Sequence, residues 1–337
     1  MKVALLQHFA CQRRAILPTM DINDIRQAQD RVRPYVRRTP FERSDSLSKR
    51  LGTNVYVKYE LFQKTGSFKV RGAFNKMLSL SAEELAKGVV AVSGGNHAQA
   101  VAYAASVVGA DAVIVMPEST PRNYVDATRG YGATVDLRPT IAAAFETVKA
   151  YQDKGRAFLH PFDDPLIMAG QGTLGLEIMD ELPEATDVVV SIGGGGLAGG
   201  VSTAVKSAKP EIRVWGVETL GADAMAQALA AGQPVTLPAI TSIAKTLGAP
   251  AVSDATLELA QKYFESVTVV NDQEAVAALQ YIAERLKVIT EPAASCTLAA
   301  AERLRGNFGP DSNVVLILCG GNVAIADVCG YLSQFTG

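Results

Sequence analysis

The chain has 337 residues, and its 32 lysines and arginines nearly balance 34 aspartates and glutamates, for a net charge of −2. At about 150 residues per domain, this length predicts about two domains with enough chain for a sizeable core. A near-neutral protein has no general field that attracts nucleic acid or an anionic membrane, so we expect neither as a partner. A composition of 48% hydrophobic and 20% charged residues excludes disordered and fibrous classes.

The first 19 residues are expected to be a loose arm, or to precede a true start at Met20. Their apolar stretch is interrupted by Gln7 and His8, and two arginines follow it, which is not the order of a signal peptide. No segment reaches the ~18 consecutive apolar residues of a membrane span. Four cysteines without a Cys-x-x-Cys pair, and only three histidines, favour reduced cytoplasmic thiols over disulfides or a zinc site.

Short β-branched runs alternate with alanine-rich stretches from about residue 53 onward. The runs predicted as strands are 55–60, 89–94, 112–117, 134–139, 187–193, 213–218, 266–270 and 313–320. Residues 97–109, 199–208 and 272–286 have the length and composition of helices. Because the strands are almost continuously apolar, as in parallel sheets buried on both faces, the alternation predicts an α/β fold with right-handed crossovers.

Three glycine-rich loops, 93–97, 193–197 and 319–322, each directly follow a predicted strand. In open α/β sheets the ligand lies at the carboxyl ends of the strands, so we expect these loops to build one site. The second loop opens a helix and leaves bare N–H groups at its positive end, which predicts a phosphate site. Its glycines also satisfy G-x-G-x-x-G, with Glu218 ending the next strand, so an NAD-dependent oxidoreductase is an alternative.

The segment KTGSFKVRGA (64–73) places Lys69 between two apolar neighbours, Phe68 and Val70. A lysine that is partly desolvated near other positive charges has a lowered pKa and is a better nucleophile toward carbonyls. From composition alone, an ordinary solvated lysine is the alternative.

The sequence SFKVRGA (67–73) resembles the S-F-K-x-R-G-A segment of the fold type II pyridoxal-phosphate enzymes, in their serine/threonine dehydratase and serine racemase branch. Further blocks resemble that branch in the same order, namely SGGNHAQAVAYAA (93–105), GQGTLGLEI (170–178), GGGGLAGG (193–200), EPAAS (291–295) and CGGN (319–322). The resemblance covers roughly residues 20–325. It implies two open, mostly parallel twisted sheets flanked by helices, with pyridoxal 5'-phosphate in the cleft between two domains.

The resemblance implies a large cofactor-binding domain, residues 1–82 and 161–337, and a small inserted domain, residues 83–160, that carries the substrate loop. It implies that Lys69 bonds covalently to the cofactor and later removes the α-proton of the substrate. The other cofactor-binding residues are Phe68 beside the ring, Asn96 on the ring hydroxyl, Cys319 at the ring nitrogen, Glu291 near the amine, and the phosphate loop of Gly193, Gly194, Gly195, Gly196 and Leu197. The substrate-binding residues are Ser93, Gly94, Gly95, Asn96 and His97.

The chemistry of this set favours elimination. A thiol, unlike a carboxylate, does not hold the ring nitrogen protonated, so a long-lived carbanion is disfavoured and prompt loss of a β-hydroxyl avoids it. We expect Lys69 to take the α-proton while the cofactor phosphate assists loss of hydroxide as a general acid, giving a 2-oxo acid and ammonia. This predicts a dehydratase of the L-threonine or L-serine type, with a dehydratase of 3-hydroxyaspartate or another specialised hydroxy amino acid as an alternative.

Three positions depart from the pattern of the branch. Its racemases carry a serine directly before the Gly-Asn of the asparagine loop, where this chain has Gly94, so an amino-acid racemase is the weaker alternative. Its divalent-metal site, where present, pairs a glutamate with an aspartate six residues later, but this chain has Glu218 and then Ala224. We therefore expect no metal, with Glu218 as a weak candidate ligand. Tyr124 stands where relatives often have lysine, which predicts a changed substrate entrance, and the relatives imply a homodimer or homotetramer.

Overall fold

The computed structural model describes residues 20–335, so the expectations for residues 1–19 lie outside the described residues. The strands are β1 (Phe41–Arg43), β2 (Asn54–Lys58), β3 (Val89–Val92), β4 (Ala112–Pro117), β5 (Thr134–Arg138), β6 (Ala157–Phe158), β7 (Asp187–Ser191), β8 (Arg213–Thr219), β9 (Phe264–Val270) and β10 (Asn313–Ile317). The helices are α1 (Ile22–Val32), α2 (Asp45–Leu51), α3 (Lys69–Met77), α4 (Ala82–Lys87), α5 (Asn96–Val108), α6 (Arg122–Gly130), α7 (Ile141–Asp153), α8 (Pro165–Glu181), α9 (Gly196–Ala208), α10 (Ala224–Ala231), α11 (Asp254–Tyr263), α12 (Asp272–Leu286), α13 (Pro292–Arg303) and α14 (Ile325–Phe335).

The strands form two sheets. The larger has the order β1-β2-β10-β7-β8-β9, and the smaller has the order β5-β4-β3-β6. All neighbouring strands are parallel except β1, which pairs antiparallel with β2 at an edge. The eight predicted strands and three predicted helices are confirmed, while β1 and β6 were not foreseen. The α/β class with two mostly parallel sheets is therefore correct.

The smaller sheet uses only strands between Val89 and Phe158. Its two faces carry separate clusters of buried side chains, one against α5 and one against α7. The larger sheet is likewise buried on both faces, and its central strand β7 is fully covered. The division into two domains, with boundaries at residues 82 and 160, stays a prediction.

Helices α5 and α9 begin without the side-chain cap that several other described helices have. Asp21, Asp164 and Asn271 accept hydrogen bonds from backbone N–H groups in the first turns of α1, α8 and α12. The corresponding residues before α5 and α9 are Gly95 and Gly195, which offer no side chain. The first N–H groups of a helix lack intrahelical acceptors, so those of α5 and α9 remain free to bind an anion.

Candidate active site

The three glycine-rich loops lie at the carboxyl ends of β3, β7 and β10, where parallel strands place ligand-binding residues. The first and third loops are in direct contact, because Nδ2 of Asn322 donates to Oδ1 of Asn96 at 2.8 Å. The third loop also reaches the lysine segment, where the N–H of Phe68 donates to the carbonyl oxygen of Cys319 at 3.1 Å. Residues from both sheets therefore meet in one region.

Lys69 is the first residue of α3 and is largely buried. Its Nζ donates to the carbonyl oxygen of Pro161 at 2.7 Å and lies 5.3 Å from the centre of the Phe68 ring. Burial lowers the pKa of Lys69 to about 8, although the nearby Cys319 and Glu291 oppose this shift. The amine is therefore far easier to deprotonate than an exposed lysine.

Glu291 and Asn96 form a buried pair across the two sheets. Nδ2 of Asn96 donates to Oε1 of Glu291 at 2.8 Å, and both residues are at most 5% exposed. Burial raises the pKa of Glu291 to about 7, against the opposing effect of the Asn96 hydrogen bond. Glu291 precedes α13 without capping it, and its Oε2 is buried with no hydrogen-bond partner in the described protein. That oxygen is available to a ligand.

The four consecutive glycines of the loop, Gly193 to Gly196, are closely surrounded and leave little room for side chains. A Cβ on Gly194 would lie 2.2 Å from Cδ1 of Phe162, and one on Gly195 would lie 2.7 Å from Cβ of Thr256. Gly195 also has a φ of +93°, in the left-handed region that favours glycine. The remaining members pack closely as well: Gly193 lies against the backbone of Leu247, Gly196 against Phe162, and Leu197 in the core.

Cys319 is 3% exposed, and its Sγ lies 3.6 Å from the carbonyl oxygen of Ala293. Burial, reinforced by the charge of Glu291, raises its pKa well above the ordinary value of a thiol. Cys319 is therefore an uncharged thiol at neutral pH. Cys296 is also a buried free thiol, whereas Cys329 is exposed.

The predicted substrate loop turns sharply into α5. Oγ of Ser93 accepts the N–H of Gly95 at 3.1 Å, which stabilises the turn. A Cβ on Gly94 would lie 2.6 Å from Oγ1 of Thr120, and this hydroxyl is buried with no hydrogen-bond partner in residues 20–335. Nε2 of His97 lies 2.9 Å from the carbonyl oxygen of Leu159. Burial lowers the pKa of His97 to about 3, so its ring is neutral.

Glu218 uses both carboxyl oxygens at the start of α10. They accept the N–H groups of Met225 at 2.9 Å and Ala226 at 2.8 Å. Burial raises the pKa of Glu218 to about 8. Within residues 20–335, no cluster of three histidine, cysteine, aspartate or glutamate side chains is suited to a metal ion. Glu218 therefore acts as a buried cap of α10.

Sequence reasoning missed several groups that the structure places at the site. Pro161 contributes only a carbonyl oxygen, which has no signature in the sequence. Asn322 was part of a recognised block without a role of its own, and Thr120 was not singled out. Tyr124, which the sequence did single out, donates through its Oη to the carbonyl oxygen of Asn322, and its effect on the substrate entrance stays a prediction.

Comparison with known proteins identifies the family. Residues 32–320 match the model of the pyridoxal-phosphate dependent enzymes. The chain belongs to this family. An L-threonine ammonia-lyase of Thermotoga maritima is 42% identical over 306 residues, which are 90% of this chain and 76% of that protein.

Solved structures agree with this assignment. The structure of maize serine racemase has a TM-score of 0.89 and 37% identity, covering 94% of this chain and 98% of that one. A threonine deaminase from T.th. has a TM-score of 0.86 and 37% identity, covering 90% of this chain and 99% of that one. The cofactor is therefore pyridoxal phosphate, and the NAD-dependent alternative is wrong.

No helix within residues 20–335 has both the length and the apolar content to cross a membrane.

The residues of the site fit pyridoxal phosphate. A buried lysine amine with a lowered pKa suits the aldehyde, and the side-chain-free loop before α9 suits the phosphate. Buried polar atoms without partners among the described residues include Oε2 of Glu291, Oγ of Ser67 and Oγ1 of Thr120. Because buried polar groups are normally hydrogen-bonded, these atoms indicate that a polar ligand completes the site.

Proposed function

We propose that this enzyme is an ammonia-lyase that converts a β-hydroxy amino acid of the L-threonine or L-serine type into a 2-oxo acid and ammonia. The observation that carries the proposal is the combination of a largely buried Lys69, whose pKa is lowered, with a glycine at position 94. The first provides one base for the α-proton, and the second provides no side chain that could return a proton as the racemase serine would.

The residues divide into three groups by what they would hold. Lys69, Phe68, Asn96, Glu291 and Cys319 would surround the cofactor ring. The N–H groups of Gly193, Gly194, Gly195, Gly196 and Leu197 would hold its phosphate. Ser93, Gly94, Gly95, Asn96 and His97 would form the loop around the substrate carboxylate, at a helix start that attracts anions because its N–H groups are uncapped.

Bound pyridoxal phosphate supplies an electron sink that acidifies the α-hydrogen of an amino acid. Lys69 would accept that proton at Nζ, since burial lowers its pKa to about 8 and leaves more of the amine unprotonated near neutral pH than in an exposed lysine. Glu291 holds a proton near neutrality, because its pKa is raised to about 7. Burial thus lowers the pKa of the base, Lys69, and raises the pKa of the acid, Glu291, so that both lie near neutral pH. Such a pair is typical of proton-transfer sites.

Cys319 bears on the outcome of the reaction because its thiol carries no charge at neutral pH. An uncharged group beside the ring nitrogen does not stabilise a proton there as a carboxylate would. Beside the ring nitrogen, Cys319 would leave the cofactor a weaker electron sink, which would favour prompt loss of the β-hydroxyl. The relatives include an L-threonine ammonia-lyase and a threonine deaminase, which supports a lyase, but they also include a serine racemase. The choice between the two reactions therefore depends on Gly94 and Cys319 rather than on the names.

The test is a panel of L-threonine, L-serine and 3-hydroxyaspartate, in which 2-oxo acid and ammonia are both measured and the remaining amino acid is analysed for its D form. We expect equal amounts of the two products and no D-amino acid from at least one substrate. Lys69→Ala is expected to abolish turnover, whereas the matched control Lys64→Ala, whose amine lies over Tyr103, retains it. Racemisation without ammonia release would refute the proposal.

A covalent test is independent of the substrate. Borohydride reduction followed by peptide mapping is expected to leave the cofactor attached to Lys69. A label on another lysine would refute the role given to Lys69. The proposal also includes a homodimer or homotetramer located in the cytoplasm, which light scattering of the purified enzyme and fractionation of the host cell would test.

A further inference from the structure

Asn322 closes the CGGN loop, and its side chain connects two other parts of the site. Nδ2 of Asn322 donates to the carbonyl oxygen of Thr65 at 2.7 Å and to Oδ1 of Asn96 at 2.8 Å. Both hydrogens of this amide nitrogen are therefore used. Asn322 thus links the turn that leads to Lys69 with the start of α5.

The hydrogen-bond chain determines which way both amides point. The carbonyl oxygen of Thr65 can only accept, so the group of Asn322 that faces it must be the nitrogen. That same nitrogen reaches Asn96, so the atom of Asn96 that faces Asn322 must be its oxygen. Nδ2 of Asn96 is then directed to Oε1 of Glu291, at 2.8 Å, and its second hydrogen is left for a ligand.

The turn held by Asn322 is conformationally unusual. Thr65 has a φ of +64°, which is uncommon for a residue other than glycine, and Gly66 follows with a φ of +73°. The N–H of Gly321 donates to the carbonyl oxygen of Gly66 at 3.0 Å, beside the bond from Asn322 to Thr65. Such conformations persist where surrounding contacts hold them, and here the contacts come from the loop that ends in Asn322.

A third element reaches Asn322 from the smaller sheet. Oη of Tyr124, on α6, donates to the backbone carbonyl oxygen of Asn322, and burial raises the pKa of this phenol so that it stays protonated as a donor. Asn322 is thus in contact with the lysine turn, with α5 and with α6. Its amide has little freedom to rotate.

We propose that Asn322 is a positioning residue that fixes the amide of Asn96 with its nitrogen toward the cofactor. The inference rests on the proposed role of Asn96 beside the cofactor ring. Without Asn322, only the hydrogen bond to Glu291 still orients the Asn96 amide. A rotated amide would present its oxygen, which would repel an oxygen of the ligand instead of donating to it.

The test is a double-mutant cycle on the dissociation constant of pyridoxal phosphate, measured by absorbance with the cofactor-free protein. We expect Asn96→Ala and Asn322→Ala each to weaken binding by about 5- to 10-fold, the range of one hydrogen bond. The double variant is expected to bind no more weakly than Asn96→Ala, because Asn322 acts through Asn96. Asn313→Ala, which removes a side-chain bond to Glu184 at the far end of β10, is the matched control and is expected to bind normally.

Asn322→Asp tests the inference more sharply than Asn322→Ala. The carboxylate oxygens of the new side chain would face the oxygens of Thr65 and Asn96, and their repulsion would turn the Asn96 amide out of its orientation. We expect this nearly isosteric change to weaken cofactor binding more than Asn322→Ala does. Additive losses in the cycle, or equal binding by the two Asn322 variants, would overturn the inference. If Asn322→Asp does not fold, the alanine cycle alone decides. Normal binding by Asn96→Ala would remove the premise as well, whereas the ammonia-lyase proposal is judged separately by its products.

Discussion

Arg71, two residues after Lys69, lies at the centre of a fully buried cluster of charges. Its guanidinium donates to both oxygens of Glu60 at 2.8 Å and to both oxygens of Glu177 at 2.7 and 3.0 Å. Lys58 contacts Glu177 at 2.8 Å, and Oγ1 of Thr39 donates to Glu60 at 2.5 Å. Arg71 and Lys58 therefore face Glu60 and Glu177, with Glu181 at the edge of the cluster 3.8 Å from Lys58. The cluster connects α3 to β2 and α8.

Replacing Arg71 with methionine removes one cation and leaves two buried carboxylates. Glu177 keeps Lys58, so Glu60 is the group that loses its only charged partner among these contacts and retains only the Thr39 hydroxyl. Removing one partner of a buried pair typically reduces the free energy of unfolding by about 3–5 kcal/mol. Since whole proteins are stable by about 5–15 kcal/mol, we expect Arg71→Met to lose a large part of the total.

The measurement is urea unfolding of the cofactor-free protein, followed by the fluorescence of Trp215. This residue is the single tryptophan of the chain and is buried in β8 of the larger sheet. We expect Arg71→Met/Glu60→Met to regain most of the loss, because removing both partners leaves no unpaired charge. A loss below about 1 kcal/mol in the single variant, or an equally unstable double variant, would refute this account.

Three further predictions concern protons and packing at or near the site. The unfolded chain binds a proton at Lys69 that the folded, cofactor-free protein lacks between pH 8 and 10.5, so stability rises with pH across this range. Lys69→Met is expected to be more stable than the parent at pH 7, and this difference is expected to disappear above pH 10.5. Urea denaturation of both proteins at pH 7 and above pH 10.5 checks this. Glu218 changes stability with pH in the opposite direction. The folded protein holds its proton between pH 4.5 and 8, so stability falls as pH rises through this range. Glu218→Gln is expected to flatten that decline in thermal melts. Gly94→Ala would place a Cβ 2.6 Å from Oγ1 of Thr120, so we expect a lower kcat/KM that Thr120→Ala restores in the same chain. A kcat/KM for Gly94→Ala equal to that of the parent would show that the loop yields easily.

The strands that were predicted and those that were missed differ in length and environment. β7 and β10 are continuous apolar runs buried on both faces, so their composition alone identifies them. β1 has the sequence FER and lies at an antiparallel edge, while β6 has only two residues, and neither carries a periodic pattern. Short edge strands are determined by their neighbour in the sheet, which the local sequence does not reveal.

The site shows the same limit. Glycine loops after strands and a lysine among apolar residues are local patterns, and they directed attention to segments that the structure does bring together. The partner of Asn96 at position 322 is 226 residues away, and Arg71 is joined to Glu177 across 106 residues. No pattern within one segment indicates such pairs, because they depend on how the two sheets are placed against each other.

The wide separation of these segments along the chain also has a consequence for when the folding protein can bind pyridoxal phosphate. The groups around Lys69 come from loops that follow β3, β7 and β10, so the coenzyme has no complete binding place until strands from both ends of the chain have paired. Contacts between distant segments form slowly, because closing long loops reduces chain entropy before any contact compensates it. During refolding from urea with pyridoxal phosphate present, the absorbance of the bound coenzyme is therefore expected to return after the helical circular dichroism signal.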